Sequence, residues 1–249
     1  MIQYRTKEIA DLIGIHVNTV RFYEEQGFIS IPERAKNGYR IFTNQHIEEF
    51  KLARAAFKSE LLQNNLRKIA LEIVRLSANQ EYDRAEELTK CYLNQLKKDK
   101  LSAEEALEIT NNILKSSDKD RETQITYRRS EVAEILDVTI DTLRNWELNG
   151  LIEVKRKENG YRVYRDTDIQ RLKIIRSLRH ANYSLTAILR MLLMLDTNPK
   201  IDIKQVINTP DDNVIKACDK LLVSLEDAKK NALLILNQLN KLREINTTV

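Results

Sequence analysis

Cysteine is rare in this sequence: Cys91 and Cys218 are the only two among 249 residues. They lie far apart, without the short spacing of a zinc knuckle or a redox pair, which argues against a disulfide framework. The three histidines, at positions 16, 46 and 180, have no cysteine or carboxylate at metal-ligand spacing. We therefore expect reduced cysteines, no metal and no cofactor.

Long apolar runs are missing as well. No segment approaches the roughly 18 apolar residues that a membrane-spanning helix requires. The opening residues, MIQYRTKEIA, lack the apolar stretch of a signal peptide. The sequence also lacks a glycine-rich phosphate loop and a nucleophile with a neighbouring base. We expect a protein that remains in the cytoplasm, does not contact a membrane and is not an enzyme.

The glycines are few, and they mark an internal repeat. Residues 4–28 align without a gap on residues 127–151. After a one-residue length change, residues 37–54 align on residues 159–176, and all five glycines of the chain fall inside the aligned blocks. Chance does not plausibly produce this pairing, so the sequence predicts two copies of one domain.

Charge follows the same division of the chain. The net charge of +4 is small, but its distribution is informative. Lys and Arg outnumber Asp and Glu by 9 to 7 in residues 4–58 and by 12 to 9 in residues 127–180. A positive excess in both copies is typical of domains that bind an anionic partner such as nucleic acid.

Each copy has the pattern of two short helices followed by a hairpin. Apolar residues at helical spacing define the helices, and an Asn-Gly turn between β-prone residues defines the hairpin. At the turn between the helices, Gly14 aligns with Asp137, and both residue types tolerate positive φ. Gly27 and Gly150 follow the second helix, where a left-handed C-cap is expected. The predicted helices cover residues 7–13 and 17–26 in the first copy and residues 130–136 and 140–149 in the second.

These motifs resemble the DNA-binding domains of the MerR family. Those domains have the pattern E-(L/I/V)-A, then a T-(L/I/V)-R-(Y/F)-(Y/W)-E helix, then a GYR wing. One departure is Asn145, which stands where the first copy has the aromatic Phe22. The resemblance implies a mainly α fold with two winged helix-turn-helix domains and small β-hairpin wings. The matching stretches are residues 8–10, 19–24 and 38–40 in the first copy and residues 131–133, 142–147 and 160–162 in the second.

A recognition helix of this type places the side chains of its first turn against base edges in the major groove, while flanking groups contact phosphates. The resemblance implies that the wing arginines are phosphate contacts. The alternative is that the wing tyrosines pack onto the helices and the arginines are solvated. The residues predicted to contact DNA are His16, Asn18, Thr19, Arg21, Tyr23, Lys36, Tyr39, Arg40, Thr139, Asp141, Thr142, Arg144, Trp146, Lys157, Tyr161 and Arg162.

The segment between the copies predicts a helical bundle and a linker. Two or three helices are expected, with another beginning near Ser102. Tyr82, Cys91 and Tyr92 either pack in the bundle, which their helical spacing favours, or line a ligand pocket. The predicted domains are 1–58 (first winged helix-turn-helix), 59–115 (helical bundle), 116–126 (linker), 127–195 (second winged helix-turn-helix with connecting helices), 196–212 (loop) and 213–249 (coiled-coil helix).

The last segment has an unbroken heptad pattern. The resemblance implies that this helix pairs antiparallel with a second copy, giving a homodimer in which residues 127–249 alone suffice for operator binding. The alternative is a helix folded back onto its own chain, for example against residues 62–76. The predicted dimerisation residues are Cys218, Leu221, Leu225, Ala228, Ala232, Ile235, Leu239 and Leu242.

The resemblance also implies a function. MerR-type regulators bind promoter DNA in a sequence-specific manner and, after sensing a signal, distort it so that RNA polymerase can use it. We expect double-stranded DNA and RNA polymerase as partners, together with a small-molecule effector whose identity the residues do not indicate. The alternative is an excisionase-like or architectural DNA-binding protein that responds to no effector.

Overall fold

The chain forms short helix-turn-helix units joined to longer helices. A computed structural model describes residues 2–58, 65–117, 125–156, 160–198, 201–209 and 220–247, and within these ranges it contains eleven helices and five short strands. Their contacts divide the chain into two compact units. Unit 1 comprises Met1–Lys98 with Ser224–Val249, and unit 2 comprises Asp99–Val223.

Unit 1 contains the first copy of the repeat. Its elements are α1 (Thr6–Ile13), α2 (Val17–Glu25), β1 (Glu33–Arg34), β2 (Arg40–Ile41) and α3 (Asn44–Phe57). The strands pair antiparallel, which confirms the predicted helix-turn-helix and hairpin. Apolar residues at helical spacing bury one face of each helix in a shared core. That core consists of Ile9, Ala10, Ile13, Val20, Ile29, Phe42 and Phe50.

The same copy is followed by two helices, α4 (Leu66–Ala78) and α5 (Tyr82–Ser117). The second of these runs without a break past Ser102, so the predicted helix start there is wrong. Sequence alone suggested a start because Ser followed by acidic residues is a common N-terminal pattern. Tyr82 and Tyr92 are 7% and 4% exposed, as expected for core packing, and Cys91 is exposed.

Unit 2 contains the second copy. Its elements are β3 (Thr126–Tyr127), α6 (Arg129–Ile135), α7 (Ile140–Leu148), β4 (Lys155–Arg156) and β5 (Arg162–Arg165). The strands form an antiparallel sheet in the order β3-β5-β4. The first strand occupies the end of the segment predicted as linker. The first copy has the same pairing in reduced form, as a single bridge between Tyr4 and Phe42.

Three further helices complete the fold of unit 2 and lead into the last helix. The helix α8 (Asp166–His180) is followed by α9 (Leu185–Thr197), whose predicted N-cap Ser184 accepts a hydrogen bond from the backbone N–H of Ala187 at 3.0 Å. The short helix α10 (Ile203–Asn208) lies where a loop was predicted. It forms because Asp202 caps it, accepting a hydrogen bond from the N–H of Lys204 at 3.0 Å. Its residues Ile203 and Ile207 are buried.

The turns between the helices confirm the expectation about positive φ. Gly14 has φ 69° and the aligned Asp137 has φ 48°. An aspartate tolerates this left-handed conformation better than most residues with a Cβ. Both copies therefore make the same turn with different residues.

The last helix, α11 (Leu221–Thr247), buries its heptad positions within this chain. In a homodimer formed through these positions, a single chain would leave them exposed. The structure instead corresponds to the alternative, a helix folded onto its own chain. Cys218 and residues 213–219 lie outside the described residues. The buried positions are Leu221 (0% exposed), Leu225 (2%), Ala228 (0%), Ala232 (0%), Ile235 (2%), Leu239 (0%) and Leu242 (0%).

A buried carboxyl group fixes α3 against the segment that follows α2. Glu49 is 1% exposed. Its Oε2 accepts hydrogen bonds from the backbone N–H and the hydroxyl of Ser30 at 2.8 and 2.9 Å, and its Oε1 accepts one from Gln45 at 2.9 Å. Burial raises the pKa of Glu49 to about 7, although these three donors oppose the rise.

This raised pKa predicts a pH-dependent stability. Because the folded chain favours protonated Glu49, stability is lost as pH rises from the unfolded pKa of 4.5 through the folded pKa of about 7. We expect the free energy of unfolding of Glu49→Gln, measured relative to that of the unmodified protein, to be roughly 3 kcal/mol higher at pH 8 than at pH 5. Chemical denaturation across this range measures the difference.

The neighbouring His46 titrates in both proteins, because burial lowers its pKa to about 4, and its contribution cancels in the comparison. The exposed Glu25→Gln is the matched control. Parallel stability curves for the Glu49→Gln variant and the unmodified protein would show that the carboxyl group stays ionised throughout.

The burial of α11 gives a second prediction. Leu239→Asp places a charge at a fully buried position, which we expect to destabilise unit 1 by about 3–5 kcal/mol and to lower the melting temperature. Leu233→Asp, on the same helix but 51% exposed, is the control and should leave melting almost unchanged. A Leu239→Asp protein that melts normally but has half the native mass by light scattering would favour the homodimer.

Candidate DNA interface

The first turn of α2 and of α7 presents aligned polar side chains. In α2, Asn18 and Arg21 are exposed and Thr19 is half-buried. The aligned Asp141, Arg144 and Thr142 of α7 have the same exposures. Each helix therefore presents one arginine and one short polar side chain to solvent at the end that a recognition helix inserts into the major groove.

The residue before each helix has a structural role as well. His16 caps α2, with its Nδ1 accepting a hydrogen bond from the N–H of Asn18 at 3.2 Å. Thr139 caps α7, with its Oγ1 accepting one from the N–H of Thr142 at 3.1 Å. Both caps are exposed. They stabilise the helix end that carries the candidate contacts.

The wing tyrosines point away from the core. Tyr39 is 70% exposed and Tyr161 is 74% exposed. The alternative in which they pack the wing onto the helices therefore does not describe this structure. Lys36 on the first wing is also exposed, and Lys157 lies outside the described residues. An exposed phenol beside basic residues can donate a hydrogen bond to a phosphate oxygen.

The wing arginines are ion-paired with the recognition helix. Arg40 Nε donates to Glu24 Oε2 at 2.5 Å, and Arg162 Nε lies 2.6 Å from Glu147 Oε2. A guanidinium has five N–H donors, so each pair leaves others available. The arginine side chains are 23% and 31% exposed, whereas the glutamates are 11% and 10% exposed. The ion pair thus joins the wing to the helix in both copies.

The second copy reinforces this connection. Glu147 also accepts hydrogen bonds from Arg129 at 2.6 and 2.7 Å and from the hydroxyl of Tyr164 at 2.6 Å. Burial alone would raise the pKa of Glu147, but these hydrogen bonds and the charges of Arg129 and Arg162 hold it below its usual value. Burial, followed by the bond to Glu147, raises the pKa of Tyr164 to about 12. Glu147 therefore remains a carboxylate and Tyr164 a neutral donor.

Two of the residues predicted to contact DNA place their rings in or against the core. Trp146 is only 4% exposed. The aligned Tyr23 is half-buried, and its ring stacks on Phe50 with a centroid distance of 5.5 Å and meets Phe57 edge-on at 5.9 Å. The helical spacing already indicates this burial. Tyr23 follows the buried Val20 by three positions and Trp146 follows the buried Leu143 by three, so each ring lies on the buried face of its helix.

The sequence patterns also misplaced or missed a few other residues. Two apolar residues of the recognition helices are exposed to solvent, Ile140 at 49% and Phe22 at 50%. Glu24 and Glu147 were part of the motif, but their role as the partners of the wing arginines was not predicted. Arg129 had no signal, because the first copy has Thr6 at the aligned position.

The described residues lack two other functional features. Among them, no group of three or more histidines, cysteines or carboxylates is arranged to hold a metal ion. No helix within the described ranges has the length and apolarity of a membrane span.

Two segments of the chain match models of known protein families. Residues 5–42 match the model described as MerR family regulatory protein. Residues 127–195 match the model described as MerR HTH family regulatory protein. These segments contain the two helix-turn-helix copies with their wings.

Individual relatives share the same similarity over part of their length. The HTH-type transcriptional regulator ZntR of Escherichia coli (strain K12) is 41% identical over 75 residues, which is 30% of this chain and 52% of ZntR. The HTH-type transcriptional regulator CueR of Escherichia coli O6:H1 is 43% identical over 49 residues, which is 20% of this chain and 36% of CueR. The chain thus spans about half or less of the curated relatives it matches.

A solved structure gives a similar but weaker result. The crystal structure of HiNmlR, a MerR family regulator lacking the sensor domain, bound to promoter DNA, is 24% identical, with 39% of this chain and 77% of that chain covered and a TM-score of 0.25. Residues 5–42 and 127–195 are thus similar to MerR-family regulatory proteins, and each matched segment contains one helix-turn-helix region of this chain.

Proposed function

We propose that this protein binds double-stranded DNA in a sequence-specific manner and regulates transcription. The observation that carries the proposal is the paired geometry of α2 and α7. Each helix exposes an arginine and a short polar side chain among its first five residues, and each is joined by a Glu–Arg ion pair to a wing with an exposed tyrosine. Helix and wing together match the base and phosphate contacts of a DNA-binding domain.

The contacts divide into two chemical classes. Arg21 and Arg144 have the donor geometry that recognises guanine in the major groove. The wing residues Tyr39 and Tyr161, with the remaining N–H groups of the ion-paired arginines, are suited to phosphates. In this proposal Glu24 and Glu147 contact no DNA but hold the wing in place.

The regulatory part of the proposal comes from the relatives. ZntR and CueR are named as transcriptional regulators, and by analogy this chain acts on a promoter by binding rather than by catalysis. Distortion of the promoter for RNA polymerase, in response to a small effector of unidentified chemistry, is the mechanism that the family resemblance suggests. Such a role places the protein in the cytoplasm. No observation favours an excisionase-like function.

The first test is the salt dependence and specificity of DNA binding. We expect affinity to fall steeply with salt, by a log–log slope of about −0.9 for each phosphate contacted. We expect Arg144→Ala to cost about 1–3 kcal/mol and to relax the preference for one base. Fluorescence anisotropy with a selected duplex measures both effects.

The control for this test removes an equal charge outside the repeats. Arg84→Ala alters a residue of α5 whose side chain is 68% exposed, and it should leave affinity nearly unchanged. A flat salt dependence, or equal losses in the two variants, would contradict a DNA-binding role for α7.

The ion pair between helix and wing gives a separate prediction. Glu147→Gln leaves the charges of Arg129 and Arg162 unbalanced in a partly buried site, and we expect it to reduce stability by about 1–3 kcal/mol. The variant should also bind DNA more weakly, although the added positive charge would by itself favour DNA binding. Tighter binding by the variant would show that the wing needs no positioning. Thermal melting and anisotropy provide the two readouts.

A further inference from the structure

The heptad seam of α11 is closed inside the chain. Its positions from Leu225 to Leu242 belong to unit 1, where none of the six is more than 2% exposed. An apolar seam is available to a second copy only if it is exposed in the first. A homodimer through this seam would first have to remove it from the first copy of the repeat and its neighbouring helices.

Polar contacts join the end of α11 to the start of α5 within unit 1. Arg243 lies 2.7 Å from Asp83 Oδ1 and 2.5 Å from Glu86 Oε2, and Asn246 donates to the hydroxyl of Tyr82 at 2.7 Å. As the numbers rise along α11 they fall along α5, so the two helices run antiparallel here. On α5, buried side chains recur at heptad spacing in the same unit, at positions Ala85, Thr89, Tyr92 and Leu96.

Unit 2 uses the remainder of α5 in the same way. Residues 99–117 belong to the unit that contains the second copy. Ala103, Leu107 and Thr110 are buried there, and Glu104 Oε1 lies 4.0 Å from Nζ of Lys204 in α10. Each copy of the repeat therefore shares its compact unit with part of the long helix that follows the other copy. Both of these long helices, α5 and α11, belong to one chain.

The two recognition helices carry different chemistry. Asn18 in α2 aligns with Asp141 in α7, and both are exposed. An asparagine pairs with the donor and acceptor of adenine, whereas an aspartate accepts a hydrogen bond from the amino group of cytosine. Two identical recognition helices related by a two-fold axis recognise a palindrome. Two unlike helices in one chain are suited to an asymmetric site.

We propose that a single chain, without a second copy, binds one asymmetric DNA site through both of its recognition helices. This inference rests on the proposed DNA-binding function. It assigns Asn18 and Asp141 as specificity residues for the two parts of the site, with adenine favoured by the first and cytosine by the second. This proposal replaces the expectation that residues 127–249 suffice for DNA binding. Without residues 1–98, the apolar seam of α11 would lose the rest of the unit in which it is buried.

The stoichiometry provides the first test. Light scattering gives the mass of the free full chain, for which we expect 29.1 kDa. Native mass spectrometry of the full chain with a duplex selected from a random-sequence library should show one chain per duplex. A free dimer, or two chains on one duplex, would overturn the inference while leaving DNA binding intact. If no duplex is enriched, the proposed function itself fails, and this inference fails with it.

The second test exchanges the two specificity residues. Repeating the selection with Asp141→Asn should change cytosine to adenine at one position in one part of the site, by roughly ten-fold in relative affinity. Asn18→Asp should make the reverse change in the other part only. Both side chains are exposed, so melting curves should be unchanged. A variant that alters both parts symmetrically, or two variants that alter neither, would overturn the inference.

Discussion

The burial of α11 within unit 1 is the interaction on which the rest of the architecture depends. Burying a leucine or isoleucine side chain stabilises a fold by roughly 1.5–3 kcal/mol, and Leu225, Ile235, Leu239 and Leu242 are all buried at this seam. The contact joins residues more than 140 positions apart in sequence, such as Arg243 and Asp83. The end of the chain is thereby part of the unit that its beginning forms.

A second, smaller contact organises each copy internally. The hairpins are only two to four residues long per strand, too short to hold a fixed angle by backbone pairing alone. The ion pairs of Glu24 with Arg40 and of Glu147 with Arg162 connect each hairpin to its recognition helix. Because the glutamates are nearly buried, they act at lower dielectric than a surface pair and are correspondingly stronger. Helix and wing are thus presented as one rigid surface within each copy.

The copies have diverged in charge while keeping the same turns and core. Glu49 accepts the backbone N–H of Ser30 in the first copy. The aligned Arg171 donates to the carbonyl of Leu151 at 2.9 Å in the second and pairs with Asp196 at 2.7 Å. Opposite charges thus perform the same task, tying the helix after the wing to the loop after the recognition helix. The first-turn residues Asn18 and Asp141 differ too, which suits copies with separate roles.

The sequence by itself determined the two copies, their helices and turns, and their similarity to MerR-type domains. These depend on local spacing: apolar residues every three or four positions, glycine or aspartate at positive φ, and an Asn-Gly hairpin. It did not determine that Tyr23 and Trp146 face the core, although the spacing from Val20 and Leu143 contained that information. Only the tertiary structure decided which surface the seam of α11 covers. A heptad pattern records that a helix has an apolar face, but an apolar face is equally satisfied by a second copy or by a distant part of the same chain.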